Sequence, residues 1–136
     1  CSDIRGSGYA FRPRMGGRTF KTLQIPTTLP TLDEVYGRED IPGDGIVDFY
    51  LDQLQPGLNV HTIHAEMEGR AQGPILEQIL DRCAERGVTF RTLHDVAFEI
   101  SVRNPLIHVC DVVPGELPGR SGTVTVQKCA REEGKE

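Results

Sequence analysis

The stretch Asn59-Val60-His61-Thr62-Ile63-His64-Ala65-Glu66-Met67-Glu68-Gly69 begins with strand-forming residues and runs into ionisable side chains and a glycine. Side chains alternate faces along a strand, so Thr62, His64 and Glu66 are expected on one side and His61, Ile63 and Ala65 on the other. His64 and Glu66 then stand together near the carboxyl end of a strand, the edge at which α/β folds place their chemistry. His61 and His64 face opposite ways, so the pair cannot chelate one ion without breaking the strand.

The segments around this stretch spell out an α/β order. Upstream, Thr22 to Thr28 reads as a strand that Pro26 makes an end or an edge. Thr31-Leu32-Asp33-Glu34 fits a capping box for a short helix that Gly37 ends. Ile46, Val47, Tyr50, Leu51 and Leu54 form the apolar stripe of a helix over 46–54, with Asp44 as N-cap and Pro56-Gly57 as its stop. Downstream, Pro74 sits well at a helix start, and Ile75, Leu76, Ile79, Leu80 and Cys83 make its buried stripe. Gly87 closes that helix, and Val88 to Leu93 follows as a strand, the repeating joint of a βαβ unit. A helix over 95–101 turns Val96, Ala97 and Ile100 inward. Leu106 to Val113 reads as a strand or an extended cover segment, Thr123 to Gln127 as a short strand, and the end as a charged tail.

With 136 residues, 38% hydrophobic and 26% charged, the chain is long enough for one modest domain with a core. A net charge of −5 argues against a general nucleic-acid binder, and says nothing of a local basic pocket. No apolar run approaches the roughly 20 residues of a membrane span. Residues 1–21 are turn-rich and basic, through Arg5, Arg12, Arg14, Arg18 and Lys21. They read either as an anion site or as an ordinary solvated loop. Cys1, Cys83, Cys110 and Cys129 include no C-x-x-C pair, and the expectation is four reduced thiols in a cytoplasmic setting. The opening Cys-Ser-Asp, without an initiator Met, points to a fragment of a longer chain.

Several separated blocks carry a resemblance. Ser2-Asp3-Ile4-Arg5-Gly6, Ile25-Pro26-Thr27-Thr28-Leu29-Pro30-Thr31-Leu32-Asp33-Glu34-Val35-Tyr36-Gly37-Arg38, Thr62 to Gly69, Gly87-Val88-Thr89-Phe90 and Gly119-Arg120-Ser121-Gly122 resemble, in order and spacing, the C-terminal half of the NodB-type carbohydrate deacetylases. Within that family they are most similar to bacterial deformylases of 4-deoxy-4-formamido-L-arabinose linked to undecaprenyl phosphate. The resemblance implies residues 1–127 as the C-terminal portion of a distorted (β/α) barrel, followed by a charged tail over 128–136. A closed barrel of this type usually needs about 250 residues, so the missing N-terminal half of the domain is an expected partner.

The resemblance also implies hydrolysis of an amide, with a divalent metal ion (Zn, Mn or Co type) in the complete enzyme whose ligands are absent from this chain. His64 matches the family's late catalytic histidine, which holds the oxyanion intermediate and protonates the leaving amine. An imidazole suits that task near neutral pH; the alternative is a structural histidine bonded to a carboxylate. Glu66 is expected to orient the imidazole or bind the sugar, Glu68 to do likewise, and either reads alternatively as a solvated loop acid. Asp3 is placed near the metal site as a tuning residue. Arg5 and Arg12 are candidates for the lipid phosphate. His61 is expected to pack against a helix, and His94 and His108 to be surface or packing residues.

The implied setting is the cytoplasmic side of the bacterial inner membrane, with peripheral attachment, in lipid A modification. Two other readings stay open. One is a deacetylase of a different N-acyl sugar. The other is an inert fragment with a structural or oligomerising role, as a homo-oligomer that covers its open sheet edge.

Overall fold

The structure is a computed structural model that describes residues 4–103 and 106–129. It is a mixed α/β arrangement built on a four-stranded sheet. The strands are β1 (Phe11–Met15), β2 (Arg18–Thr19), β3 (His108–Gly115) and β4 (Val124–Lys128). Their order is β2-β1-β3-β4, with β1 and β3 parallel and the two outer pairs antiparallel. Four helices accompany them: α1 (Leu32–Val35), α2 (Ile46–Gln53), α3 (Gly73–Glu85) and α4 (Leu93–Arg103). The sheet is open, and no closed barrel is formed among the described residues.

The basic segment read as turn and loop contains the first two strands. Gly16 and Gly17 both take positive φ, 54° and 78°, the geometry of a tight hairpin turn whose twist matches its flanking strands. Phe11 is fully buried. It is bridged to His108 of β3 on one side and to Gln24 on the other, with Phe11 N–H donating to Gln24 O at 3.0 Å and Gln24 N–H returning to Phe11 O at 2.8 Å. This proline- and arginine-bearing strand lies between β2 and β3, and Pro13, which has no N–H to give, accepts from Phe20 N–H at 2.9 Å.

Beyond β4 the sheet continues as single bridges. Arg5 N–H donates to Thr125 O at 2.9 Å, and Gln127 N–H to Arg5 O at 2.8 Å. On the far side Gly6 N–H donates to Thr27 O at 3.1 Å and Thr27 N–H to Ile4 O at 2.9 Å. The next neighbour is Val60, whose carbonyl accepts from the N–H groups of Thr28 (3.0 Å) and Leu29 (3.1 Å). Val60 N–H in turn finds the Thr28 hydroxyl at 2.8 Å. A threonine side chain thus substitutes for a ladder bond, and 58–64 is extended backbone without a regular ladder, not the expected strand over 58–65. Residues 88–92 likewise form no ladder among the described residues. Both segments have strand-like sequences, but pairing is a property of two segments and neither has a full partner here.

The helices follow the apolar periodicity. Thr31 caps α1, and its N–H is taken by Glu34 Oε2 at 3.1 Å, one half of the capping box. Ile46, Tyr50 and Leu51 of α2 meet Ile79 and Cys83 of α3 in the larger core cluster, completed by Leu29, Leu32, Val35 and Ile41. Asp44 is not the N-cap of α2; it lies in a 3₁₀ turn (Gly43–Gly45) that delivers Gly45 to that position. A smaller cluster joins Ala10, Ile25 and Val60 to Val96 of α4. Gly87 takes φ 75° just after α3, as expected of a helix-ending glycine.

The expectation of four reduced thiols is corrected by a disulfide between Cys110 and Cys129. The β3–β4 register sets Asp111 opposite Lys128, so the next pair outward is Cys110 opposite Cys129, with Cα atoms 4.3 Å apart. The chain therefore stays tied to the sheet through Cys129, and residues 130–136 of the expected tail lie outside the described residues. Cys83 is a buried free thiol. Closing a loop of 19 residues restricts the unfolded chain, so Cys129→Ser is expected to lower stability by about 3 kcal/mol in chemical denaturation.

Candidate functional site

At the end of the extended segment the chain reverses in a turn over 65–72. Strand alternation stops at His64, so Glu66 does not share its face; it is exposed on the turn and outside the cleft described below. The His64 carbonyl accepts from the N–H groups of Met67 and Glu68, both at 3.0 Å. Glu68 folds back, and its Oε2 accepts the His64 N–H at 2.8 Å. This carboxylate is only 6% exposed, which rules out a solvated loop acid. Its other oxygen lies 3.8 Å from His61 Nε2. Glu68 thus fixes the backbone from which the His64 ring projects.

The two histidines part as alternation requires. His61 turns inward and packs edge-on against Tyr50 of α2, ring centroids 4.9 Å apart. Burial pushes its imidazole below the usual histidine value, although the Glu68 charge pulls the other way. His64 points to the opposite side, about one-third exposed, with Nδ1 3.6 Å from Asp33 Oδ1. Partial burial raises the Asp33 carboxyl, but the Thr31 hydrogen bond and the His64 charge outweigh it, and the net shift is below the ordinary value. Asp33 entered the sequence reading in a helix-capping box and in a block of the resemblance, with no role assigned to it. Its function as the partner of His64 follows from the first turn of α1 lying beside residue 64.

His64 opens on a cleft of about 300 Å³ whose wall also includes Arg5, Arg120 and Thr27, Thr31, Thr62, Thr123 and Thr125. Behind this wall Glu34 is 2% exposed, and its Oε1 accepts from Arg5 Nη2 at 2.7 Å and Arg120 Nη1 at 3.0 Å. Arg5 is mostly enclosed, with Nη1 donating to Leu29 O at 3.1 Å. Arg12 lies on β1, exposed and away from the cleft, so the two arginines proposed together are separated. Asp3 lies outside the described residues. Arg120 stood in the sequence only as part of a Gly-Arg-Ser-Gly turn, and its meeting with Glu34, 86 residues earlier, had no local signal.

A second, larger cleft of about 1040 Å³ is lined chiefly by apolar side chains, among them Leu58, Ile63, Leu80, Val88, Phe90 and Ile100. Its lining also includes His61, Arg91, Glu99, Arg103 and His108. Among the described residues no group of three or more His, Cys, Asp or Glu side chains converges so as to hold a metal ion. The donor set of the described residues therefore does not fit a resident metal. No described helix is long and apolar enough to cross a membrane.

No protein-family model matches the chain. Among curated proteins it is 32% identical over 127 residues to a probable 4-deoxy-4-formamido-L-arabinose-phosphoundecaprenol deformylase ArnD of Shewanella sediminis (strain HAW-EB3). It is 34% identical over 128 residues to the protein of the same name from Wigglesworthia glossinidia brevipalpis. The chain is related to part of the ArnD deformylases. Each match takes in 93% of this chain, which spans 39% of the first relative and 43% of the second.

Two stability measurements probe this ArnD-related site. Glu34→Gln removes the charge that neutralises a largely enclosed Arg5, and is expected to cost about 3 kcal/mol by urea denaturation. For His61 the folded imidazole titrates below its ordinary value, so between the two values the unfolded chain binds more protons. Stability should fall as pH drops from about 7 through the ordinary histidine range near 6.5. The slope should flatten in His61→Phe, read from urea midpoints across that range.

Proposed function

We propose that the chain is the C-terminal part of a hydrolase that removes the formyl group from 4-formamido-arabinose carried on undecaprenyl phosphate. The supporting observation is the placement of His64: on the rim of a polar cleft, its backbone held by buried Glu68, its Nδ1 facing Asp33. Amide hydrolysis needs a proton on the departing nitrogen, because an amine is a poor leaving group without one. An imidazolium whose Nδ1 side faces a carboxylate keeps Nε2 available as the donor to that nitrogen. Asp33 orients the ring; Glu68 sets where the ring begins. Glu66, exposed on the turn, is left with a contact to a part of the sugar outside the cleft.

In this reading the rest of a NodB-type barrel is supplied by polypeptide beyond the described residues. The extended segments 58–64 and 88–92 lack ladders, and Ile63, Leu80, Val88 and Phe90 line a broad apolar cleft while each remains more than a third exposed. Further parallel strands and their helices would cover that face and satisfy those backbones. A divalent ion of the complete enzyme would take its ligands from that polypeptide, and no step is assigned to it here. In this reading the enzyme works at the cytoplasmic face of the inner membrane by peripheral contact, in the modification of lipid A.

The test is formate release from the lipid-linked formamido sugar by this chain joined to the complementary part of the domain. His64→Ala should lower kcat by 10²–10⁴ with an unchanged melting profile. Turnover equal to the parent's would remove His64 from the reaction. Release of acetate but not formate from matched substrates would instead identify a deacetylase.

A further inference from the structure

We propose that the Cys110–Cys129 bridge is a reversible redox latch: closed, it holds the wall of the His64 cleft in place, and reduced by a dithiol, it lets that wall loosen. The proposal rests on the reading above only for its cytoplasmic setting. In a reducing compartment a disulfide is transient and serves sensing or catalysis rather than permanent stapling.

The first observation is where the bridge lies. It joins β3 to the end of β4 at the side of their ladder away from the connecting loop, so the span it closes contains the 116–123 loop that carries Arg120. β4 is also the strand that positions Arg5. The Arg5 N–H donates to Thr125 O at 2.9 Å, and Gln127 N–H donates to Arg5 O at 2.8 Å. Arg5 and Arg120 meet on Glu34 Oε1 and both line the cleft. Two residues of the cleft wall are therefore mounted on one hairpin, and the bridge closes it.

The second observation is a side-chain link from the bridge to that wall. Gln127 Nε2 donates to Cys110 Sγ at 3.6 Å. Its Oε1 accepts from the Ser7 N–H at 3.0 Å and from the Ser7 hydroxyl at 3.2 Å. A Cβ at Gly6 would lie 2.2 Å from the same oxygen, so the absence of a side chain there lets the 5–7 segment close on Gln127. Sulfur, amide and segment form one packed row that ends at Arg5. With the bridge open, the end of β4 is held by its ladder alone, and local opening of that end becomes easier.

The third observation is that both redox states have a place in the fold. Cys110 is 0% exposed, whereas Cys129 is partly exposed. A dithiol's thiolate therefore attacks Cys129 Sγ. The Cys110–Cys129 bond breaks, a mixed disulfide forms on Cys129, and Cys110 leaves with the bonding pair and takes up a proton. The second thiolate of the dithiol then attacks the dithiol's own sulfur in that mixed disulfide. Cys129 leaves and is protonated in turn. Two electrons and two protons pass to the cysteine pair, and the dithiol becomes a disulfide. The freed Cys110 thiol suits burial as a small hydrophobe, the state Cys83 already holds among the helices. Among the described residues the two apolar clusters are assembled without Cys110 or Cys129, so reduction leaves them standing.

Amide hydrogen exchange of this chain, oxidised and then reduced with dithiothreitol, tests the latch. Alkylation and mass of the unfolded products should count two more thiols after reduction. Exchange at Arg5, Ser7 and Gln127 should quicken by about tenfold, while the amides of α2 and α3 keep their protection. The Cys110→Ser, Cys129→Ser chain should match the reduced protein and ignore dithiothreitol; if it does not fold, the reduced unaltered chain carries the test. Three results would overturn the proposal. One is a bridge that survives excess dithiothreitol in the folded chain. Another is unchanged exchange at those three amides after full reduction. The third is loss of protection throughout α2 and α3, which would make the bridge a structural staple. In this chain joined to the complementary part of the domain, reduction should lower formate release by about tenfold and reoxidation restore it. Release unaffected by full reduction would also overturn the latch. No release in either state, with the exchange pattern as expected, would remove the deformylase reading and leave the latch standing.

Discussion

The organisation of the molecule depends on one buried carboxylate. Glu34 receives Arg5 from the bridge beside β4, Arg120 from the loop between β3 and β4, and the Thr31 N–H from its own helix entry. Three segments distant in sequence are thereby drawn to one point. An acid 2% exposed has no alternative solvation, so the surrounding chain must supply cations and N–H groups or the fold fails locally. The same point lies next to the entry of α1, and Asp33, one residue earlier, is thereby brought beside His64.

The helical half of the fold was legible because helix formation is local. The stripe of α2, the proline-led start of α3, Gly87 after it and the inward residues of α4 all follow from spacing and caps. The strands were less so. The Gly16-Gly17 hairpin carried its signal, yet it was outweighed by the basic, proline-containing residues around it. Segments 58–64 and 88–92 have strand sequences, and an isolated chain cannot show whether a neighbour will pair with them. The Cys110–Cys129 bridge depends on the register of β3 against β4, which spacing alone does not give.

The site shows the same division. The opposite facing of His61 and His64 follows from alternation over three residues, and the structure keeps it, with one ring on Tyr50 and the other on Asp33. Alternation fails at Glu66 because the turn has already begun, and Glu68 is turned inward by the His64 N–H, a contact set by the turn itself. Arg5 was visible as part of a basic cluster, but that cluster disperses: Arg12 stays on the outer face of β1, and Arg14 pairs with Asp111 across to β3. The geometry shows what each of these residues is able to touch.

Glu68 has a consequence that extends beyond the turn it closes. One of its oxygens serves the backbone of the cleft and the other faces a ring packed on the helical core. Interior and working surface are therefore not independent compartments. A change of shape at Tyr50, deep in the hydrophobic layer, has a two-residue route through His61 and Glu68 to the ring at the cleft. Substitutions accumulating in that layer must keep the aromatic contact or shift the pose of a side chain that they never meet.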